Sequence, residues 1–185
     1  MLSRLIKLTL ALVVALPLTV GSGGVALAAA APSLPGEALF PFQRAAEQVW
    51  VALTPDSAGR ARLLLDLADR RVRDLRASAG TDYEMLALAY LDAATNEAIL
   101  AVAAAPADSA GQLRARLAAL AADTLTALDQ LTVIPITNPD VVANAGAKAL
   151  TIQSALSDSN QTGGDIAGLA ILSLGLPPEA VIAAS

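Results

Sequence analysis

The 185 residues include 12 basic and 17 acidic side chains; 55% are hydrophobic, yet only 3% are aromatic. An apolar content made mostly of Ala and Leu favours helices packed closely through small side chains over any sheet. The net charge of −5 disfavours nucleic acid and anionic membrane as partners, and the lack of any His or Cys removes Ser-His-Asp and Cys-His nucleophiles, His- or thiolate-bound zinc, disulfides and a lipid-bearing cysteine.

The first residues read as a secretion signal. Arg4 and Lys7 form a positive start, Leu8 to Val20 an uncharged run, and Gly21-Ser22-Gly23-Gly24 a helix-breaking stretch before Ala26-Leu27-Ala28. That last triplet has the small-x-small pattern of a cleavage site. The apolar run is interrupted by Pro17 and is shorter than the about 20 residues that span a bilayer. The expectation is a signal peptide over residues 1–28, with Ala30 as a second cut position and no membrane span after cleavage. Removing Arg4 and Lys7 leaves 10 basic residues against 17 acidic, a net charge of −7.

An extended lead-in over 32–40, broken by Pro35 and Gly36, precedes a first helix over about 41–53. Its Phe42, Ala46, Val49, Trp50 and Leu53 have the spacing of one buried face. Phe40, Phe42 and Trp50 are expected to anchor this helix to the core rather than form an exposed aromatic patch. Thr54-Pro55-Asp56 predicts an N-cap followed by a proline at the first helical position. The second helix, 55–79, carries the seam Ala61, Leu65, Ala68, Val72, Leu75 and Ala79 at alternating spacings of four and three. Arg62/Asp66, Asp66/Arg70, Asp69/Arg73 and Arg70/Asp74 are i, i+4 pairs of opposite charge. Gly80 suits the position just past the helix end.

Thr81-Asp82-Tyr83-Glu84 reads as a capping box for a third helix that ends near Ala105, before Pro106. Met85 to Leu91 is apolar nearly all round, so this helix is expected to be the most buried. Ser109-Ala110-Gly111-Gln112 reads as a second capping box, and Leu113, Leu117, Leu120, Thr124, Ala127, Leu131 and Ile134 form the seam of a fourth helix. Asn138-Pro139-Asp140 starts a fifth, which ends near Ser157. Residues 158–185 read as a polar loop and an apolar tail; Ile166 to Leu176 is too short to cross a membrane and is expected to cover an edge of the bundle. The fold class is therefore all-α: a small antiparallel bundle of about five helices over 41–157. Leu65, Val72, Leu86, Leu117, Leu120 and Leu131 should be buried.

Searching for chemistry yields little. No nucleotide-binding glycine loop or serine elbow is present. The carboxylate pairs Asp66/Asp69 and Asp92/Glu97 have ordinary roles on helix faces, and a chain with one Trp, two Tyr and two Phe is poor in the aromatics that hold sugars. Asp158, Asn160, Thr162 and Gly163 match the start of a calcium loop, but Leu169 stands where a bidentate Glu is needed; a polar interhelical loop explains them better. No catalytic, metal or cofactor residue is assigned.

Asp66, Asp69, Arg70, Arg71 and Arg73 are read as a structural charge cluster. The second helix carries six Arg and three Asp between 57 and 79; the third carries Asp82, Glu84, Asp92 and Glu97 with no basic residue. Opposite charge is thus expected to help register the two as antiparallel neighbours. Arg71 adjoins Val72 on the seam and has no opposite charge at Leu67 or Leu75, so it is expected to be buried against Glu84, Asp92 or Glu47 on another helix.

Leu34-Pro35-Gly36, Leu39-Phe40-Pro41, Arg44, Glu47, Thr54-Pro55 and Leu67-Ala68-Asp69-Arg70-Arg71 resemble the motif of a family of bacterial extracytoplasmic domains of unknown function. Gln43 departs from the basic residue usual there, and the resemblance covers Leu34 to Arg76 only. It implies export and helices and lends no catalytic or binding residue. The expectation is a secreted or envelope-associated, non-enzymatic helical protein that acts by contact with a protein partner. The alternative is an extracytoplasmic sensor or stress-linked regulator that binds a small ligand or ion between helices.

Overall fold

The computed structural model describes residues 33–131, 139–157 and 162–171; the stretch read as a signal, Ile134, Asn138, residues 158–161 and the tail beyond 171 lie outside them. The described residues are all-α: α1 (Phe40–Leu53), α2 (Ser57–Ser78), α3 (Glu84–Ala103), α4 (Ala107–Leu131), α5 (Pro139–Ser157) and the short α6 (Gly163–Gly168), followed by a 3-10 turn over Leu169–Ile171. They divide into two compact units, one holding Ser33 and residues 37–50, the other Leu34–Gly36 and everything from Val51 onward. The bundle is thus the second unit, α2 to α6, and most of α1 belongs to the first.

In the bundle, both seams fall where the heptad spacing puts them. Ala61, Leu65, Ala68, Val72 and Leu75 of α2 are buried, with Ala79 packed against the same core. On α4, Leu113, Leu117, Leu120, Thr124, Ala127 and Leu131 are buried, as are the six expected core positions. α3 is the most enclosed helix, with Leu86 to Ala89, Leu91, Ala94, Ala98, Ile99 and Val102 all buried. It is the one described helix long and apolar enough to cross a membrane, but 61% of that apolar window lies inside the bundle.

α2 and α3 share the most extensive contact, as their tight connection requires. Gly80, at φ +71°, adopts the left-handed conformation that ends α2. Three residues separate α3 from α4, so the chain turns back twice and α2 and α4 run parallel. Two cross-helix bonds confirm it: Asp69 to Arg116 and Arg76 to Asp123 both span 47 residues. α5 packs along α4, and α6 packs on α3, where Ile166 and Leu169 are buried. The start of the apolar tail therefore does cover the bundle edge.

Several helix starts differ from the sequence reading. Asp56, not Thr54, caps α2: its carboxylate accepts from the N–H groups of Ala58 (3.0 Å) and Gly59 (2.8 Å), while the Thr54 carbonyl accepts from Arg60. At α3 the capping box is absent, because Glu84 reaches past Thr81 to accept from the Gly80 N–H at 2.7 Å. Ser109 sits inside α4 with its hydroxyl donating to the Pro106 carbonyl, so α4 begins directly after the proline. The capping box that does form is Thr162/Asp165 at α6.

α1 overturns its expected polarity. Phe42, Val49, Trp50 and Leu53 are 63%, 49%, 41% and 73% exposed, whereas Gln43 and Glu47 are buried with Phe40. The reason is a hydrogen-bond chain: the Ser33 N–H donates to Gln43 Oε1, and Gln43 Nε2 donates to Glu47 Oε1, each at 3.0 Å. A polar face that brings its own partners can be buried at modest cost, and this one displaces the apolar face.

Leu117 is fully buried on the α4 seam and Leu100 is 53% exposed on α3. Leu117→Ala is expected to cost about 2–5 kcal/mol in urea unfolding, and Leu100→Ala less than about 0.5 kcal/mol. Similar costs for the two would refute the seam.

Candidate functional site

Four features of the described residues could carry function. The first is a pair of buried ion pairs. Arg71 is completely buried, as expected, and it pairs with Asp74 of its own helix, at 2.6 Å and three residues on. The second is on α5: Lys148 donates to Asp92 of α3 at 2.5 Å and to Asn96 at 2.6 Å, with both charged side chains nearly enclosed. Asp92 thus engages a lysine on α5, and the Glu84 carboxylate caps the α2–α3 turn. Lys148 was the cation that sequence reasoning passed over. Its signal was present: it is the sole basic residue between Asp140 and Ser157.

The second feature is a charged groove. Arg62, Asp66, Asp69, Arg73 and Arg76 repeat at spacings of four and three along α2, and α4 lies beside them. Arg116 of α4 bonds Asp66 at 2.7 Å and Asp69 at 3.1 Å. The acids of the sequence-defined cluster are therefore bonded by a residue of another helix, with Arg73 also drawing on Asp69 through space. The Arg76 guanidinium donates to the Asp123 backbone carbonyl at 3.1 Å. Asp69, Arg73, Arg76, Arg116, Ala119, Leu120 and Asp123 line a groove of about 330 Å³. Arg116 could not be found from helix-local spacing, since its pairing depends on how α2 and α4 lie together.

The electrostatics of this cluster are uneven. Burial pushes the Asp69 carboxyl above its ordinary value of 3.8, outweighing the pull of Arg116. Hydrogen bonding to Asp66, the more exposed carboxylate, raises Arg116 above its ordinary value. Arg116 therefore gains its stabilisation mainly from Asp66.

The third feature is a cavity of about 30 Å³ between α3, α4 and α5, lined by Leu88, Leu91, Leu117, Ala121 and Ile152 and bordered by Asp92 and Lys148. It has room for at least one water molecule. The fourth is the exposed apolar stripe of α1, Phe42, Val49 and Trp50, with Leu39 just before the helix. The calcium-loop match finds Thr162 and Asp165 occupied in capping α6, and no cluster of metal-ligating side chains occurs among the described residues.

Comparison with family models, with curated proteins and with solved structures gives no match for this chain.

Lys148→Ala and Arg71→Ala each remove one partner of a buried ion pair and should cost about 3–5 kcal/mol; Arg60→Ala, which removes an exposed bond to a carbonyl, should cost less than about 0.5 kcal/mol. The double variant Lys148→Met/Asp92→Leu should recover most of the loss by replacing the pair with apolar packing. Chemical denaturation of the four proteins checks this ordering.

The two shifted aspartates should act oppositely with pH. Hydrogen bonding to Thr162 lowers Asp165 below 3.8, so its contribution is present above its unfolded value and is lost as pH falls through the folded one. Asp69 is raised, so the folded state binds its proton more tightly and its contribution declines as pH rises through that range. Carboxyl-carbon NMR titration should place Asp69 above Asp165.

Proposed function

We propose that this chain is an exported, non-enzymatic envelope or secreted protein that acts by helix-mediated protein contact, with the outward face of α1 as its contact surface. The observation that carries the reading is the inverted polarity of α1. An exposed stripe holding Leu39, Phe42, Val49 and Trp50 is the kind of surface monomers keep small unless something binds it, and Trp is the residue type most enriched among the anchors of protein interfaces. Export is supported by the pattern of Arg4, Lys7, the apolar run and Ala26-Leu27-Ala28, and by the resemblance over Leu34 to Arg76. The absence of His and Cys supports a role without catalysis.

The test is affinity capture of the full chain from an envelope extract, alongside Phe42→Ser and Trp50→Ala. Both residues are exposed, so the variants should melt within a few degrees of the parent. A specific co-purifying protein is expected, with its affinity reduced about 30-fold by Trp50→Ala, the effect of losing about 2 kcal/mol at an anchor. Capture unchanged by either substitution would sink the α1 assignment, and recovery of the chain only from the cytoplasmic fraction would sink export.

A further inference from the structure

We infer that the groove between α2 and α4 binds a small oxyanion, a phosphate or the carboxylate of a short acid, held by the guanidinium groups of Arg73 and Arg76. The inference uses no residue of α1. It rests on how the positive charges of α2 are satisfied. Arg60 is engaged by the Thr54 carbonyl and Arg71 by Asp74. Arg116, facing them from α4, is taken up by two carboxylates. Arg73 makes no hydrogen bond or salt bridge among the described residues and meets Asp69, already bonded to Arg116, only through space, while the Arg76 guanidinium donates to a neutral backbone carbonyl.

These two arginines stand three residues apart on one face of α2, so their side chains are neighbours, and both line the same recess. Paired guanidinium forks match the geometry of carboxylate and phosphate and bind them through charge-assisted hydrogen bonds. The recess, at about 330 Å³, falls at the lower end of small-molecule sites. Leu120 and Ala119 in its lining give a short carbon chain an apolar surface to lie on. Asp69 and Asp123 border it and repel negative charge placed away from the arginines, which limits the ligand to one compact head group. In a chain of net charge −5, two guanidiniums on one recess with no carboxylate in direct salt-bridge contact are a local departure from the surrounding charge.

The experiment is calorimetric titration of the full chain with inorganic phosphate and, separately, with butyrate, each against sodium chloride at matched ionic strength. Saturable binding of both is expected, with butyrate displacing phosphate from one site. Arg73→Gln/Arg76→Gln should weaken phosphate binding at least tenfold. Arg62→Gln, on the same stripe but outside the recess, should change it less than twofold. A response no larger than that to chloride overturns the inference, as does binding retained by the double variant or binding of the two anions without competition. Circular dichroism of the double variant, expected to match the parent, separates loss of the site from loss of the fold.

Discussion

A seam of Ala and Leu can slide by one heptad at small cost, because one small apolar side chain fills a neighbouring hole much as another does. An ammonium group cannot move in that way. Once Lys148 is buried, it must meet Asp92 and Asn96, and that fixes how α5 lies against α3. The pair of Arg71 with Asp74 keeps a guanidinium in the interior at a fixed place on α2. The cross-helix bonds of Arg116 and Arg76 then set α4 beside α2 at a constant offset. The apolar seams supply most of the cohesion, and these few polar contacts select one arrangement among similar ones.

Much of this arrangement was legible in the residues. The heptad spacings of α2 and α4 located both seams, Gly80 located the turn, and the apolar run from Met85 located the most enclosed helix. Those signals are local, because periodicity alone determines which face of a helix is apolar. What failed was non-local. Periodicity could not show that Asp66 and Asp69, one turn apart, share the guanidinium of Arg116 arriving from a parallel helix. The capping boxes at α3 and α4 failed because a proline or a reaching Glu satisfied the helix end in another way.

The reversal in α1 is the most instructive error. Apolar spacing shows that a helix has two faces, and the usual inference is that the apolar one turns inward. Here Gln43 and Glu47 lie one turn apart and link in series to the Ser33 backbone, so the polar face arrives already satisfied. The sequence offered a hint: Gln43 and Glu47 are polar residues four apart that share a helical face beside Phe40. The signal for the charged groove was weaker, because Arg73 and Arg76 differ from other arginines of α2 only in what α4 places opposite them.

The orientation of α1 also decides what the chain's intrinsic fluorescence reports. Trp50 is its single tryptophan and stands on the exposed side of that helix, while the bundle core is built from aliphatic side chains. Its emission therefore reports the polarity at the exposed face of α1, and a shift to the blue on mixing with another molecule would record something covering that face.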